Sequence, residues 1–142
     1  MYKHKQVGWL IIGVFTPVVL ALSIWVVYFP VIYAIITAIF LFLTMLFFSS
    51  LTVVADQAAL TFYFGPGLIK RKFLYSDIVK FEKVRNRWYY GWGIHWFGRG
   101  WLYNVSGFDA VEISLKNGTV VRIGTDEVDT LYNYVASRIR TE

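Results

Sequence analysis

The first third of the chain is a continuous apolar run. No Asp, Glu, Lys or Arg occurs from Gln6 to Ala55. The apolar part, Val7–Phe48, would be about 63 Å long as a helix, and a bilayer hydrocarbon core is only roughly 30 Å thick. The pattern therefore predicts two membrane spans, about Val7–Tyr28 and Val31–Phe48. Pro30 separates them, because proline disfavours helical backbone at the residue before it.

A cleaved signal peptide is the alternative interpretation of this run. Basic residues precede the apolar core, and small residues occur at Ala21 and Ser23. However, apolar sequence continues for many residues beyond that point, which favours a transmembrane helical hairpin over residues 1–50. Pro17 is expected to bend the first span, and Tyr28, Phe29 and Tyr33 to form an aromatic cluster at the far interface.

Basic residues flank the spans and predict their orientation. Lys3 and Lys5 precede the first span, and Lys70, Arg71 and Lys72 follow the second. The positive-inside rule then places both termini in the cytoplasm. The spans contain no ionisable group, whereas transport pathways generally need one. We expect an anchor that can also pack against other helices.

Alternation of polar and apolar positions begins after Leu51 and predicts a cytoplasmic domain over residues 51–142. Strands are predicted at Ala58–Gly65 and Leu68–Tyr75, joined by a Gly-Pro-Gly turn. Further strands are predicted in SDIVKFEKVR, WLYNVSG, DAVEISL and VVRIG. Asn117-Gly118 is typical of a two-residue hairpin turn in which both residues have positive φ.

The C-terminal segment has helical spacing instead. Val128, Leu131 and Val135 fall on one face, and Thr125 is the predicted N-cap. Asp126, Glu127, Arg138 and Arg140 complement the helix dipole at the two ends. Together with about seven strands, this helix predicts an α+β membrane protein whose antiparallel β barrel is capped by one helix, as in pleckstrin-homology-like (PH-like) domains.

Four segments carry a resemblance to a known family: YSDIVKFEKV, GWGIHW, WLYNVSG and DAVEISLKNGTVVRIGTDE. From about Leu51 to Arg140 the chain resembles the bacterial PH-like domain found behind paired membrane spans in small proteins. The resemblance implies a PH-like fold at the cytoplasmic side of a membrane. It implies no particular biochemical activity.

The segment WYYGWGIHWFGRGW, residues 88–101, is unusually rich in aromatic residues and glycine. One interpretation is a strand of a tightly curved barrel, with Trp92, Ile94 and Trp96 alternating and glycines allowing bends. A second is a membrane-facing edge, because Trp and Tyr prefer the headgroup depth. A third, a base-stacking platform, has no supporting nucleic-acid motif, so no nucleic-acid partner is expected.

The sequence offers little catalytic chemistry. It has no Cys and only two His, His4 and His95, so no metal site or cofactor is expected. His95, Ser106 and Asp109 could form a nucleophilic set, but no nucleophile motif surrounds the serine. We therefore expect a protein that is not an enzyme.

A net charge of +5 and a mean hydropathy of +0.52 favour contact with an anionic membrane surface. The candidate lipid or partner surface consists of Lys70, Arg71, Lys72, Arg85, Arg87, Trp88, Trp92 and Arg99. The expected function is a membrane-anchored module that recruits or stabilises partner proteins and contacts anionic lipid weakly. The alternative is an auxiliary subunit or assembly factor whose transmembrane hairpin packs inside a larger membrane complex.

Overall fold

The computed structural model of the protein describes residues 1–25 and 31–139. Within these ranges it is an α+β fold of nine strands in two sheets and three α-helices. The expected α+β class with a C-terminal helix is confirmed. The predicted span boundary at Pro30, the aromatic residues Tyr28 and Phe29, and the terminal Arg140 lie outside the described residues.

Two apolar helices follow each other near the N-terminus and contact each other. Helix α1 covers Trp9–Trp25 and contains Pro17, and helix α2 covers Val31–Phe48. Within the described residues, α2 is long and apolar enough to cross a membrane, with a hydropathy of 2.6 and no buried residue. Helix α1 is apolar but shorter in its described part.

The residues before α1 form a strand that the sequence pattern did not indicate. Strand β1 covers Tyr2–Val7 and pairs antiparallel with β2, which covers Ser50–Ala55. Val7, predicted to begin the first span, instead lies opposite Ser50 in this ladder. His4 belongs to the same strand. Local sequence is a poor guide here, because β1 is held by residues more than forty positions away.

The first sheet has the order β1-β2-β3-β4, where β3 is Ala59–Phe64 and β4 is Ile69–Leu74. Its inner face carries the fully buried Leu60, Phe62 and Phe64, which alternate along β3 as a half-buried strand requires. The predicted turn over Gly65–Gly67 joins β3 to β4, and both glycines have positive φ.

The second sheet has the order β5-β8-β9-β7-β6. Its strands are β5 (Ile78–Arg85), β6 (Gly93–Trp96), β7 (Trp101–Asn104), β8 (Asp109–Leu115) and β9 (Val120–Gly124). Strands β7 and β9 are parallel. The expectation of about seven strands, all antiparallel, is therefore wrong in number and in this pairing. The reason is that the β6–β7 hairpin joins the free edge of β9 instead of pairing with its successor in sequence.

The turn between β8 and β9 also differs from the prediction. Gly118 has a φ of +81°, but no residue other than glycine has positive φ among the described residues. The Gly118 N–H donates to the Leu115 carbonyl at 2.9 Å, and the Leu115 N–H donates to Thr119 at 2.9 Å. This is a longer hairpin loop with one left-handed residue, a common alternative to the two-residue turn.

Helix α3 (Val128–Ile139) bridges the two sheets, because it contacts β2 in one sheet and β5 and β8 in the other. Leu131 and Val135 are fully buried, as their spacing predicted. The Thr125 hydroxyl, predicted to be the N-cap, accepts a hydrogen bond from the Glu127 N–H at 3.1 Å. The first bond within the helix, however, runs from the Leu131 N–H to the Glu127 carbonyl at 3.0 Å, so Glu127 holds the N-cap position and Thr125 forms a turn just before the helix. The core lies between the sheets and beneath this helix.

The helical pair joins the first sheet without a linker. Helix α1 begins two residues after β1 ends, and α2 ends two residues before β2 begins. The Gly8 N–H donates to the Ser49 carbonyl at 2.7 Å and extends the β1–β2 ladder to the foot of the helices. The ring centroids of Phe48 and Phe64 are 5.5 Å apart, so α2 also packs onto the core.

The β3–β4 turn lies directly against the last turn of α2. A Cβ at Gly65 would overlap the Leu46 carbonyl oxygen and lie 2.9 Å from that of Phe47. Because only glycine lacks a Cβ, this residue type allows the turn and the helix to approach so closely.

We predict that Gly65→Ala destabilises the protein more than Gly67→Ala. Both residues have positive φ, so adding a Cβ at either position should cost about 1–2 kcal/mol of unfolding free energy. Only the Cβ at Gly65 would meet the backbone of α2, whereas the atom nearest to a Cβ at Gly67 is on the Tyr63 ring at 3.8 Å. The free energy of unfolding of the full chain in detergent micelles checks this. Equal losses for the two variants would contradict close docking of the turn on α2.

Candidate functional site

Lysines from two edge strands lie on one face of the first sheet. Lys5, Thr52, Tyr63 and Lys70 are successive cross-strand neighbours in one row. Lys3, Val54, Thr61 and Lys72 form the next row. All four lysines are exposed. We call the set Lys3, Lys5, Lys70 and Lys72 the lysine face, the first row the near row, because it is closer to the helices, and the second the far row.

The lysine face is a concentration of positive charge. Within the described residues, none of its four ammonium groups has a carboxylate within ion-pair distance. Its charge affects the pKa of one nearby carboxyl group, that of Asp56. The backbone N–H groups of Ala58 and Ala59 lower the pKa of Asp56, and the charge of Lys72 lowers it further. The arrangement suits an extended anionic surface better than a single small anion, because the charges lie on the two edge strands, at opposite sides of a four-stranded sheet.

Arg71, Arg85 and Arg87 were predicted on the same surface as Lys70 and Lys72, but they lie elsewhere. Arg71 pairs with Phe62 and so belongs to the opposite face of the first sheet. Arg85 lies on β5 of the second sheet, 3.9 Å from Asp109. Arg87 follows β5, and its Nη1 donates to the Tyr89 hydroxyl at 2.6 Å. That hydrogen bond raises the pKa of Arg87.

Arg99 has a structural partner that the sequence pattern did not reveal. Its Nη2 donates to the two carboxylate oxygens of Glu112 at 2.6 and 2.8 Å. The Arg122 Nε donates to the same carboxylate at 2.7 Å, and its guanidinium lies 4.2 Å from the Phe97 ring centroid. The Glu112 side chain is only 3% exposed. A buried carboxylate needs such compensation, so Arg99 attaches the β6–β7 hairpin to the sheet.

The aromatic segment is divided between the interior and the surface. Residues 93–96 form a strand, as one interpretation predicted, and Trp92 and Ile94 pack against the core. Trp88 is 77% exposed, and Trp96 and Trp101 form an exposed edge-to-face pair with centroids 5.6 Å apart. Such exposed aromatic side chains are typical of interfaces with lipid or protein.

An apolar groove of about 320 Å³ lies where this segment meets the helices. One wall belongs to α1 and α2, and the other belongs to residues 92–95. Among the described residues, the buried Trp92 Nε1 has no hydrogen-bond acceptor. The groove is lined by Ile11, Phe15, Thr44, Phe48, Trp92, Gly93, Ile94 and His95.

His95, Ser106 and Asp109, which were considered as a nucleophilic set, each contact a different partner. The His95 Nε2 is hydrogen-bonded to the Trp92 carbonyl. The Ser106 carbonyl accepts a hydrogen bond from Gln6, and Asp109 lies near Arg85. His4 contacts Asp126 at 2.6 Å and joins β1 to the start of α3. Over residues 1–25 and 31–139, no group of three His, Cys, Asp or Glu residues could hold a metal ion.

Comparison of the chain with protein-family models, curated proteins and solved structures found no match. The resemblance to the bacterial PH-like family therefore stays a prediction from the quoted segments. The functional argument rests on the geometry described above.

We predict that Arg122→Ala costs about 3 kcal/mol of unfolding free energy, because it removes one partner of a buried carboxylate. Arg99→Ala should cost less, since the Arg99 side chain is 61% exposed and that of Arg122 only 13%. Urea unfolding of the full chain in detergent micelles, followed by tryptophan fluorescence, measures both. Lys80→Ala removes an exposed pair with Glu82 and should cost less than about 1 kcal/mol. Arg122→Ala losses as small as this control would contradict the structural role of Glu112.

Proposed function

We propose that the protein is a non-enzymatic, membrane-anchored module with a PH-like domain at the cytoplasmic face of a bacterial inner membrane. In this proposal α1 and α2 cross the bilayer as a hairpin, and both termini are cytoplasmic. The domain recruits or stabilises partner proteins there and contacts anionic lipid. The bridging of two sheets by a C-terminal helix supports the PH-like part of the proposal.

The observation that carries the proposal is the insertion of the helical pair between two paired strands. Helix α2 is about 27 Å long, close to the roughly 30 Å of a hydrocarbon core. Because β1 and β2 are neighbours, α1 leaves the sheet beside the end of α2 and contacts it. A bilayer that takes up α2 is therefore expected to take up α1 as well.

The direct junction has a functional consequence. A flexible linker would let the domain rotate and move away from the bilayer. Here the ladder continues to Gly8 and Ser49, so the sheet and the helices are expected to move as one body. An anchored domain of this kind presents the same surfaces to the membrane and to the cytoplasm at all times, which suits a docking platform.

The alternative function is that of an auxiliary subunit whose helices pack inside a larger membrane complex. Its supporting observation is that α2 has no buried residue. A Cβ at Gly13 would have no atom within 4 Å, so a neighbouring helix could approach there. The two functions differ in whether partners contact the domain or the helices.

We predict that both termini face the cytoplasm, because the lysines of β1 and β4 lie on the same side of the helical pair. A reporter active only outside the cytoplasm should be inactive when fused before Met1 or after Glu142. The same reporter placed between residues 26 and 30 should be active. An active terminal fusion would rule out the two-span topology with both termini in the cytoplasm.

We predict that partner proteins contact the domain surface rather than the helices. A photo-crosslinking residue replacing Trp88, which is 77% exposed, should give protein adducts in living cells. The same residue at Asn117, in the β8–β9 turn, is the matched control on the domain. Adducts formed only from Ala38, on the exposed surface of α2, would favour the auxiliary-subunit function instead.

A further inference from the structure

The β3–β4 turn lies at the level of the apolar residues of α2. The Gly65 N–H donates to the Ser50 carbonyl at 2.9 Å, and its Cα lies against the carbonyls of Leu46 and Phe47. If α2 spans the bilayer, this turn is held at the edge of the hydrocarbon. It is held there by backbone contacts, independently of any side chain on the turn.

Leu68, the residue that follows the turn, is apolar and its side chain is not covered by the rest of the domain. Leu68 is 75% exposed, whereas Leu74, at the other end of β4, is 45% exposed. A single exposed leucine needs no explanation on a soluble protein. Next to the end of a spanning helix, however, Leu68 can enter the bilayer boundary without any movement of the domain.

The near row lies just beyond this apolar tip. Lys70 follows Leu68 by two residues, about 7 Å along an extended strand. Lys5 occupies the opposite end of the row, three residues before Gly8, and Tyr63 lies between the two lysines. The headgroup region is about 5–8 Å thick on each side of the hydrocarbon core. The long lysine side chains can therefore reach the lipid phosphates.

The far row lies about 7 Å further from the helices along the strands. The attraction of a charge to an anionic leaflet falls off over a Debye length, about 8 Å at physiological ionic strength. Lys3 and Lys72 should therefore contribute roughly 40% as much as Lys5 and Lys70, although all four share one face.

We propose that the β3–β4 turn and the near row form a binding surface for anionic phospholipid headgroups. Leu68 enters the apolar boundary, and the Lys5 and Lys70 ammonium groups pair with phosphates on either side of Tyr63. The inference rests on the proposed membrane insertion of α1 and α2. Lipid is favoured over an acidic protein because the lysines continue directly into an apolar tip and two apolar helices.

The first experiment locates the turn relative to the bilayer. Because the chain has no Cys, one cysteine carries one environment-sensitive fluorophore. Labels at Leu68→Cys, Leu74→Cys and Ile39→Cys are compared in the full chain, reconstituted in nanodiscs with brominated lipids as quenchers. Ile39, in the middle of α2, reports on insertion, and Leu74, at the far end of β4, is the control. We expect quenching at positions 39 and 68 and little at position 74.

The second experiment measures headgroup preference at the Leu68→Cys label. Two mixtures with the same mole fractions of phosphatidylglycerol and phosphatidylcholine are compared. In one only the phosphatidylglycerol is brominated, and in the other only the phosphatidylcholine is brominated. We expect the anionic quencher to be several-fold more effective, because each juxtamembrane lysine favours anionic lipid by about five-fold. Lys5→Gln with Lys70→Gln should remove most of the preference. Lys3→Gln with Lys72→Gln, the matched double variant of the far row, should keep most of it.

The outcomes separate the inference from the proposed function. No quenching at position 39 would refute membrane insertion itself. Quenching at position 39 without quenching at position 68 would overturn the inference while the anchor stands. Quenching at position 68 with no anionic preference would overturn the headgroup part and leave the lysine face to an acidic protein. If the preference for anionic lipid is lost in the far-row variant but kept in the near-row variant, the assignment of the headgroup site to Lys5 and Lys70 would also be overturned.

Discussion

The pairing of β1 with β2 is the interaction on which the rest of the arrangement depends. Six cross-strand partners, from Tyr2 opposite Ala55 to Val7 opposite Ser50, bring together two strands separated by both apolar helices. Closing so long a loop costs entropy, but that cost grows only slowly with loop length. The gain is a fixed geometry, because the helices leave adjacent strands and are expected to move together with the sheet. A fragment that starts at Leu51 would lose β1, its two lysines and the His4 contact with α3.

A second constraint shapes the other sheet. Glu112 projects from β8 into a nearly dry environment, where an unpaired carboxylate would cost several kcal/mol. Arg99 and Arg122 compensate it from the β6–β7 turn and from β9. This network keeps the β6–β7 hairpin on the edge of β9 and so supports the strand that forms a wall of the apolar groove. The aromatic segment is therefore positioned by electrostatics at one end and by packing of Trp92 and Ile94 against the core at the other.

These two constraints separate the basic residues by role. The lysines of β1 and β4 are free to face an anionic surface, whereas Arg99 is engaged by Glu112 and Arg87 contacts Tyr89. The number of positive charges is thus a weaker guide to a binding surface than the partners each charge already has. The lysine face is distinguished by its strand register and by its distance from the apolar helices, and both follow from the pairing of β1 to β4 in one sheet.

The sequence by itself determined the features that depend on neighbouring residues. The apolar helices, the Gly65–Gly67 turn, the alternation along β3 and the buried stripe of α3 all follow from local periodicity and turn chemistry. Only the tertiary structure decided that Lys3 and Lys5 belong to a strand, that β7 runs parallel to β9, and that Arg99 pairs with Glu112. Each of these depends on contacts between distant segments. A polar strand or an exposed arginine carries no local signal of the partner it will meet, since that partner is chosen by the fold as a whole.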